Sequence, residues 1–449
     1  MSEGPLEPEP SALLSFRAEN ARSFRDKFEF SMLTTAMSER QYVREIPWRE
    51  GGSPIRVLPV AGVFGANASG KSNLLKVMHD MRGYVLYSFR YGNPGGGLPR
   101  DPFLLDLESK SNPSAFEIEI VLHGIKHDYG FVVDNSHVLE EWACHYPKGR
   151  AAVLFHREDN KVHAGATGRS RTRAVEDLLR PNALYLSTSA AANHPLLLPL
   201  YLWFQRNMWM AAGDSRPFRQ ALTTEMLDDD RQRRAVLELL WAADLGIVGA
   251  QKRKLDPAMQ ERLQRAIRIL TGTEGELEDE NNPVLEELEG VELVHQGPDG
   301  DLAIPSDDES LGTMVWFGLV GPILQSLQTG SLLLVDELDV SLHTELVEHV
   351  VRLFQNPETN PNRAQLIFNS HDTNLLGGTD DSRLLGRDQV WFTEKSNEGN
   401  SHIYSLKEHN PRKSEAIEKR YLDGHYGGKP ILISGGFDRA IQLATGLVE

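Results

Sequence analysis

An α/β fold with antiparallel strands at its N-terminus and an inserted, mainly helical arm is predicted by three features of the sequence. The β-branched, apolar run IRVLPVAGVF (55–64) enters a glycine-rich turn and then a helical stripe. Apolar runs at 331–335, 365–369, 389–393 and 402–406 alternate with helix-like segments. Between these regions, from about 170 onward, the pattern is helical but repeatedly broken by glycine and proline, which argues against a long coiled coil.

Composition sets the outer bounds. The chain has 449 residues, 40% hydrophobic and 25% charged, the balance of a soluble globular protein with two or three domains. Lys and Arg total 47 against 64 Asp and Glu, a formal charge of −17. That balance excludes a chain that coats nucleic acid over its whole surface, because such binding needs a broad positive field to release phosphate counterions. A local basic groove is left open. Cys144 is the only cysteine, so no internal disulfide and no cysteine-rich zinc site can form. No run reaches the roughly 18 apolar residues of a membrane helix. The acidic, proline-rich start MSEGPLEPEP is the reverse of a signal peptide. A cytoplasmic protein with no membrane partner is expected.

Taken in order, LLSFRAENARSFRDKFEFSML (13–33) reads as two short antiparallel strands around a turn. Residues 55–64 read as one buried strand. In 72–89, Leu74, Leu75, Met78, Met81 and Val85 fall on one helical stripe. Phe116–Leu122 and Tyr129–Val133 read as a hairpin, with a further strand near Val153–His156. Helices are expected at 174–179, 196–209, 219–245 and 257–270, and the acidic run 274–289 reads as a solvated face. Strand alternation resumes at VELVHQ (291–296). Leu311–Leu324, with three glycines and a proline, reads as buried core or as a site-forming segment. The resulting division is 1–165, 166–290 as the helical arm, and 291–449.

GANASGKS (65–72) fits G-x-x-x-x-G-K-[ST] between the expected strand and helix. Gly65 and Gly70 let the backbone wrap a polyphosphate, so that N–H groups and the helix start face its charge. Lys71 would reach the β- and γ-phosphates and Ser72 would hold Mg²⁺. Asn67, Ser69 and Asn73 complete the expected cradle. SLLLVDELD (331–339) supplies the second requirement, since a buried parallel strand ends in Asp336 and Glu337, where ligands of open α/β sheets bind. Asp336 would contact Mg²⁺ through water, and Glu337 would act as general base. ATP and Mg²⁺ are therefore the expected ligands, and Mg²⁺-dependent ATP hydrolysis the expected reaction.

ESLGT (309–313) precedes that strand, and LDVSLH (338–343) and LIFNSHD (366–372) follow it. This order resembles the ABC-type ATPase set shared by RecF, SMC and OLD-like proteins. N-x-x-S-F (20–24), S-x-G-T (310–313) and YLDGHYGGKP (421–430) make the chain similar to the stand-alone ATPases of prokaryotic defence loci, the AbiL and RloA type. The resemblance implies a P-loop ATPase head in which Ser310, Gly312 and Thr313 close on the nucleotide of a second copy. It also implies that His371 contacts the γ-phosphate and that Asp339 sits at the dimer seam. Two departures stand out. No Gln occurs between Ser72 and Gln205 to serve the loop that usually carries one, and Leu311 precedes Gly312 where a second glycine is usual.

The leading functional expectation is a defence ATPase, a dimer or higher even-numbered oligomer, that senses or scaffolds and controls a separately encoded effector. A DNA-binding repair or maintenance ATPase of the RecF kind and a non-catalytic, ATP-gated assembly module are the alternatives. Nucleic acid would have to use Lys148–Arg150, Arg169–Arg173 with Arg180, or Lys252–Lys254, all of which read first as solvated faces. Too few residues follow His371 for an appended TOPRIM nuclease, and Asp380–Asp381 reads as a loop. His123 and His127 fall at a hairpin turn, where their spacing does not place both rings on one helical face. WFQRNMWM (203–210) reads as the packed face of a helix.

Overall fold

The structure, a computed structural model, describes residues 11–36, 38–49, 52–165, 169–253, 290–378, 382–429 and 434–445. The expected helix at 257–270, the acidic run 274–289, Asp380–Asp381, Lys254, Pro430 and the first ten residues lie outside the described residues, as do the side chains of 169–171.

Two sheets sandwich one helix. The first sheet has seven antiparallel strands in the order 161–164, 152–158, 138–145, 125–133, 114–122, 12–19 and 28–31. The second has six, in the order 208–211, 332–335, 365–369, 60–65, 390–395 and 401–405, and only the last runs antiparallel to its neighbour. Helix Lys71–Tyr87 lies between them with Leu74, Leu75, Met78, Met81 and Val85 all buried, the stripe read from the sequence. Each such side chain stabilises the packing by about 1.5–3 kcal/mol. Alternation along Leu332–Val335 sends Leu332 and Leu334 into this core. Leu333 and Val335 enter a second core beneath helices Leu311–Thr329 and Thr344–Gln355. Val60–Gly65 and Leu332–Val335 carry no polar side chain because both of their faces are covered, and Gln365–Asn369 between them is buried along its length with polar residues only at its ends.

Several elements depart from the sequence reading. Residues 55–64 form two strands, Ile55–Val57 and Val60–Gly65, in different sheets; Pro59 between them has no N–H to continue a ladder. Within 166–290, helices Leu198–Arg206, Arg216–Glu225 and Asp230–Ala242 occur. The helix expected to reach Trp209, however, stops at Arg206. Asn207 then accepts from Leu332 N, and Met208–Ala211 pairs in parallel with Leu332–Val335 as an edge strand of the second sheet. Trp203, Phe204 and Met208 are buried. Ile247–Lys252 is likewise a strand, paired with Val291–Gly297, which also pairs with Gly300–Pro305. Leu311–Leu324 belongs to the nineteen-residue helix Leu311–Thr329. Its Gly321 admits the neighbouring helix, since a Cβ there would lie 2.6 Å from Thr223 Oγ1.

The strand Val138–His145 escaped the sequence reading because its interior carries Glu141, which is fully buried. Its carboxylate accepts from Tyr129 Oη at 3.0 Å and from the backbone N–H groups of Tyr185 and Leu186, with buried Arg157 at 3.6 Å. Burial pushes the Glu141 carboxyl upward, and the guanidinium opposes it. A buried acid breaks the apolar alternation, and its partners lie too far along the chain to be visible locally.

Candidate functional site

The phosphate loop joins the central strand Val60–Gly65 to helix Lys71–Tyr87. Both of its glycines are sterically required. A Cβ on Gly65 would lie 2.4 Å from Thr393 O; on Gly70, whose φ is 114°, it would lie 2.5 Å from Ser401 Oγ. Ser69 Oγ bonds Thr393 Oγ1 at 2.6 Å, and Asn73 Nδ2 donates to Ser23 Oγ, which also accepts from Ser401 Oγ. Ser23 comes from the N-x-x-S-F segment. There Asn20, at a φ of 49°, is buried and donates to the carbonyls of Ser109 and Asn112, while Phe24 enters the core. The loop is thus braced by residues from both ends of the chain. Asn67 is exposed, and Ser72 is half-buried at the helix start.

Lys71 is only 5% exposed, and its ammonium donates to Gly65 O at 2.8 Å and Ala66 O at 3.0 Å, with His371 Nδ1 at 3.5 Å. Burial pulls its pKa down to about 8, against the opposing pull of Asp339, Glu337 and Asp336. The unfolded chain therefore binds more protons than the folded one between pH about 8 and 10.5, so stability rises with pH across that window and the penalty for holding the charge is fully present below it. We expect the stability of the nucleotide-free wild type, minus that of Lys71→Met, to rise by up to about 1.4 kcal/mol per pH unit there. Thermal denaturation of both from about pH 7 to about pH 10 measures it; a flat difference would refute the buried ammonium.

The acidic strand lies next but one to the phosphate-loop strand, separated from it by Gln365–Asn369. Asp336 is half-buried and Glu337 exposed, with Glu337 at a φ of 57°. The residue that aligns them is Asn369, fully buried: its Nδ2 donates to Asp336 Oδ1 at 2.6 Å and its Oδ1 accepts from Glu337 N at 2.5 Å. The sequence LIFNSHD by itself gives Asn369 no role. An asparagine neither titrates nor carries charge, and only its place on the intervening strand shows its use. Two residues on, His371 N donates to the Asp339 carboxylate at 3.2 Å. The structure thus brings together Lys71, His371, Asp336, Glu337 and Asp339 around adjacent strand ends.

The ESLGT segment sits apart. Ser310 caps helix Leu311–Thr329, accepting from Thr313 N at 3.1 Å. Gly312 packs on the loop after the acidic strand, where a Cβ would lie 2.7 Å from Ser341 O. Ser310 and Leu311 are exposed, Thr313 is buried, and among the described residues no hydrogen bond links Ser310, Gly312 or Thr313 to 65–73. Of the basic residues weighed for nucleic acid, Arg180 is committed to the carbonyls of Ser88 and Phe89, and Lys252 to Asp228 at 2.6 Å.

A glycine loop between a central parallel strand and a buried helix, with acids at the end of a nearby strand, defines a P-loop ATPase. Residues 60–377 match the family described as "AAA domain, putative AbiEii toxin, Type IV TA system", and the chain belongs to that family. Among solved structures it is similar to an SMC head bound to the C-winged helix domain of ScpA, at TM-score 0.40 and 12% identity over 89% of this chain and 99% of that one. It is also similar to the SMC head domain from Thermotoga maritima, at TM-score 0.37 and 12% identity over 88% and 98%. No curated protein matches the chain. Among the described residues, no helix is long and apolar enough to cross a membrane.

Proposed function

We propose that this chain is a Mg²⁺-dependent ATP hydrolase of the AbiL and RloA type. In this reading it works in the cytoplasm as a head-to-tail pair and controls a separately encoded effector in antiphage defence. The observation that carries the catalytic part is the convergence of buried Lys71, His371 and the Asn369-aligned acids on one end of the parallel sheet. The residues fit a triphosphate, because the loop runs straight into the first turn of helix Lys71–Tyr87 and the Lys71 ammonium is held at the loop by the Gly65 and Ala66 carbonyls beside His371. They also fit Mg²⁺, with the Ser72 hydroxyl and the Asp336 carboxylate as its holders. When bound, the ion neutralises charge on the β- and γ-phosphate oxygens.

The chain's own residues would divide the work as follows. The loop N–H groups from Gly65 to Asn73, together with Lys71, hold the phosphates. Glu337 takes a proton from water as the water oxygen bonds the γ-phosphorus and the bond to the ADP oxygen breaks. His371 contacts the γ-phosphate, and its backbone N–H is already tied to Asp339. Ser310, Gly312 and Thr313 act on the nucleotide of the second copy, and the exposed start of their helix supports that reading. The head would be built from 1–165 and 291–449, with 166–290 as the insert that returns Met208–Ala211 to the head sheet. The toxin–antitoxin wording of the family description supports a defence role.

Complementation tests the pairing. Lys71→Ala and Ser310→Arg should each be inactive, and an equal mixture should recover about a quarter of the wild-type sites, since only mixed pairs hold one complete site. A mixture as inactive as its components would sink the head-to-tail arrangement.

A further inference from the structure

One segment singled out in the sequence, YLDGHYGGKP (421–430), has no part in these roles, yet it folds back onto the phosphate loop. Helix Ile417–Leu422 ends in a turn where Gly424, Gly427 and Gly428 have φ of 81°, 72° and 65°. Gly428 is buried, and a Cβ there would lie 3.3 Å from Thr393 O and 3.7 Å from Gly65 Cα, the first glycine of the loop. A Cβ on Gly427 would lie 2.5 Å from Tyr404 Oη. Left-handed backbone and close approach together favour glycine at both positions.

The turn is clamped from below. Tyr421 Oη donates to Gly428 O at 3.1 Å and Tyr404 Oη to Tyr426 O at 2.8 Å. The rings of Tyr421 and Tyr426 stack on Phe392, with centroids 5.2 and 5.8 Å away, one residue before Thr393. Burial raises all three phenols, so they remain protonated donors. At the end of this fixed turn Lys429 is exposed and makes no ion pair among the described residues, its stem lying over Gly424.

The sheet order says which end of a nucleotide this turn would meet. The strands carrying Asp336 and His371 lie on one side of Val60–Gly65, and Lys71 leans toward that side. Val390–Lys395 and Ser401–Ser405 lie on the other, with Ser23, Ser401 and Thr393 bracing the loop there. The Gly427–Lys429 turn packs on this second flank. We infer that it is a second element of the nucleotide site, with the Lys429 ammonium contacting the α-phosphate and ribose side of a nucleoside di- or triphosphate.

The inference rests on the nucleotide reading above, and titration of the full chain with ATP and with ADP separates the two. Lys429→Ala should weaken both nucleotides by the same factor, about tenfold for one charge-assisted contact. Lys429→Arg should retain most of the affinity, and the melting temperature should not move, because the side chain is exposed. Gly428→Ala, whose methyl would press on Thr393 O, should weaken both nucleotides as well. Unchanged affinities in Lys429→Ala overturn the inference. So does a loss confined to ATP, which would place the lysine at the γ end. A wild-type chain that binds neither nucleotide, with Lys71→Ala no worse, overturns the proposed function itself.

Discussion

Glu337→Gln is expected to reduce ATP turnover by about 10²–10⁴-fold, the contribution of a positioned general base, while leaving ATP binding intact. The backbone explains why the effect falls on chemistry alone. Glu337 stands at a φ of 57° with its N–H held by Asn369 Oδ1, and its side chain is exposed at the strand end. Glutamine keeps the shape and hydrogen-bonding length but cannot take a proton from water. With hydrolysis stalled, the closed pair should accumulate, so saturating ATP should convert the variant from monomer to dimer. Phosphate release and light scattering with and without ATP measure the two halves of the prediction. A rate close to wild type would remove Glu337 from the mechanism. A slow variant that stays monomeric would leave the base in place and remove the pair.

The second large effect belongs to a residue that touches no substrate. Asn369 is buried and spends both ends of its amide on the acidic pair. In Asn369→Leu the Asp336 oxygen and the Glu337 N–H both lose their partner, a cost of about 0.5–1.5 kcal/mol for each hydrogen bond, since neither residue is fully buried. A misplaced metal-holding carboxylate and base should lower kcat by about 10²-fold, the cost of a shift of about 1 Å at such a site. Asn369→Asp separates positioning from packing. It keeps the acceptor for Glu337 N but sets a carboxylate beside Asp336, where like charge raises the pKa of one of the pair. A proton shared by that pair replaces the amide donor to Asp336, so activity should be best kept where the pair holds the proton and fall as pH rises past that pKa, whereas Asn369→Leu should be low at every pH. Parallel pH profiles for the two variants would reduce Asn369 to a packing residue.

Much of the site was legible because its demands are local. The spacing from Gly65 to Ser72 is complete within eight residues, although the atoms that exclude a Cβ at Gly65 and Gly70 belong to the distant Thr393 and Ser401, and the stripe from Leu74 to Val85 declares a helix by its own period. Four apolar residues ending in Asp336 and Glu337 declare a buried strand with acids at its tip. Where the reading slipped, a distant partner had overruled a local pattern. Met208 and Trp209 continue a helical stripe, yet pairing with Leu332 and Leu333 draws them into a strand. Glu140 and Glu141 break the apolar alternation of their strand, and only the tertiary contacts with Arg157, Tyr129 and the backbone at 185–186 account for the burial of Glu141.

By itself the sequence determined the phosphate loop, its strand and helix, and the acidic strand end, because the loop's residue spacing and the periods of apolar residues are set between near neighbours. Only the tertiary structure decided that Asn369 aligns the acids, that Ser23, Thr393 and Ser401 brace the loop, and that the Gly427–Lys429 turn rests against Gly65. Those contacts depend on strand order and register, which arise when surfaces far apart in the chain compete to be buried together.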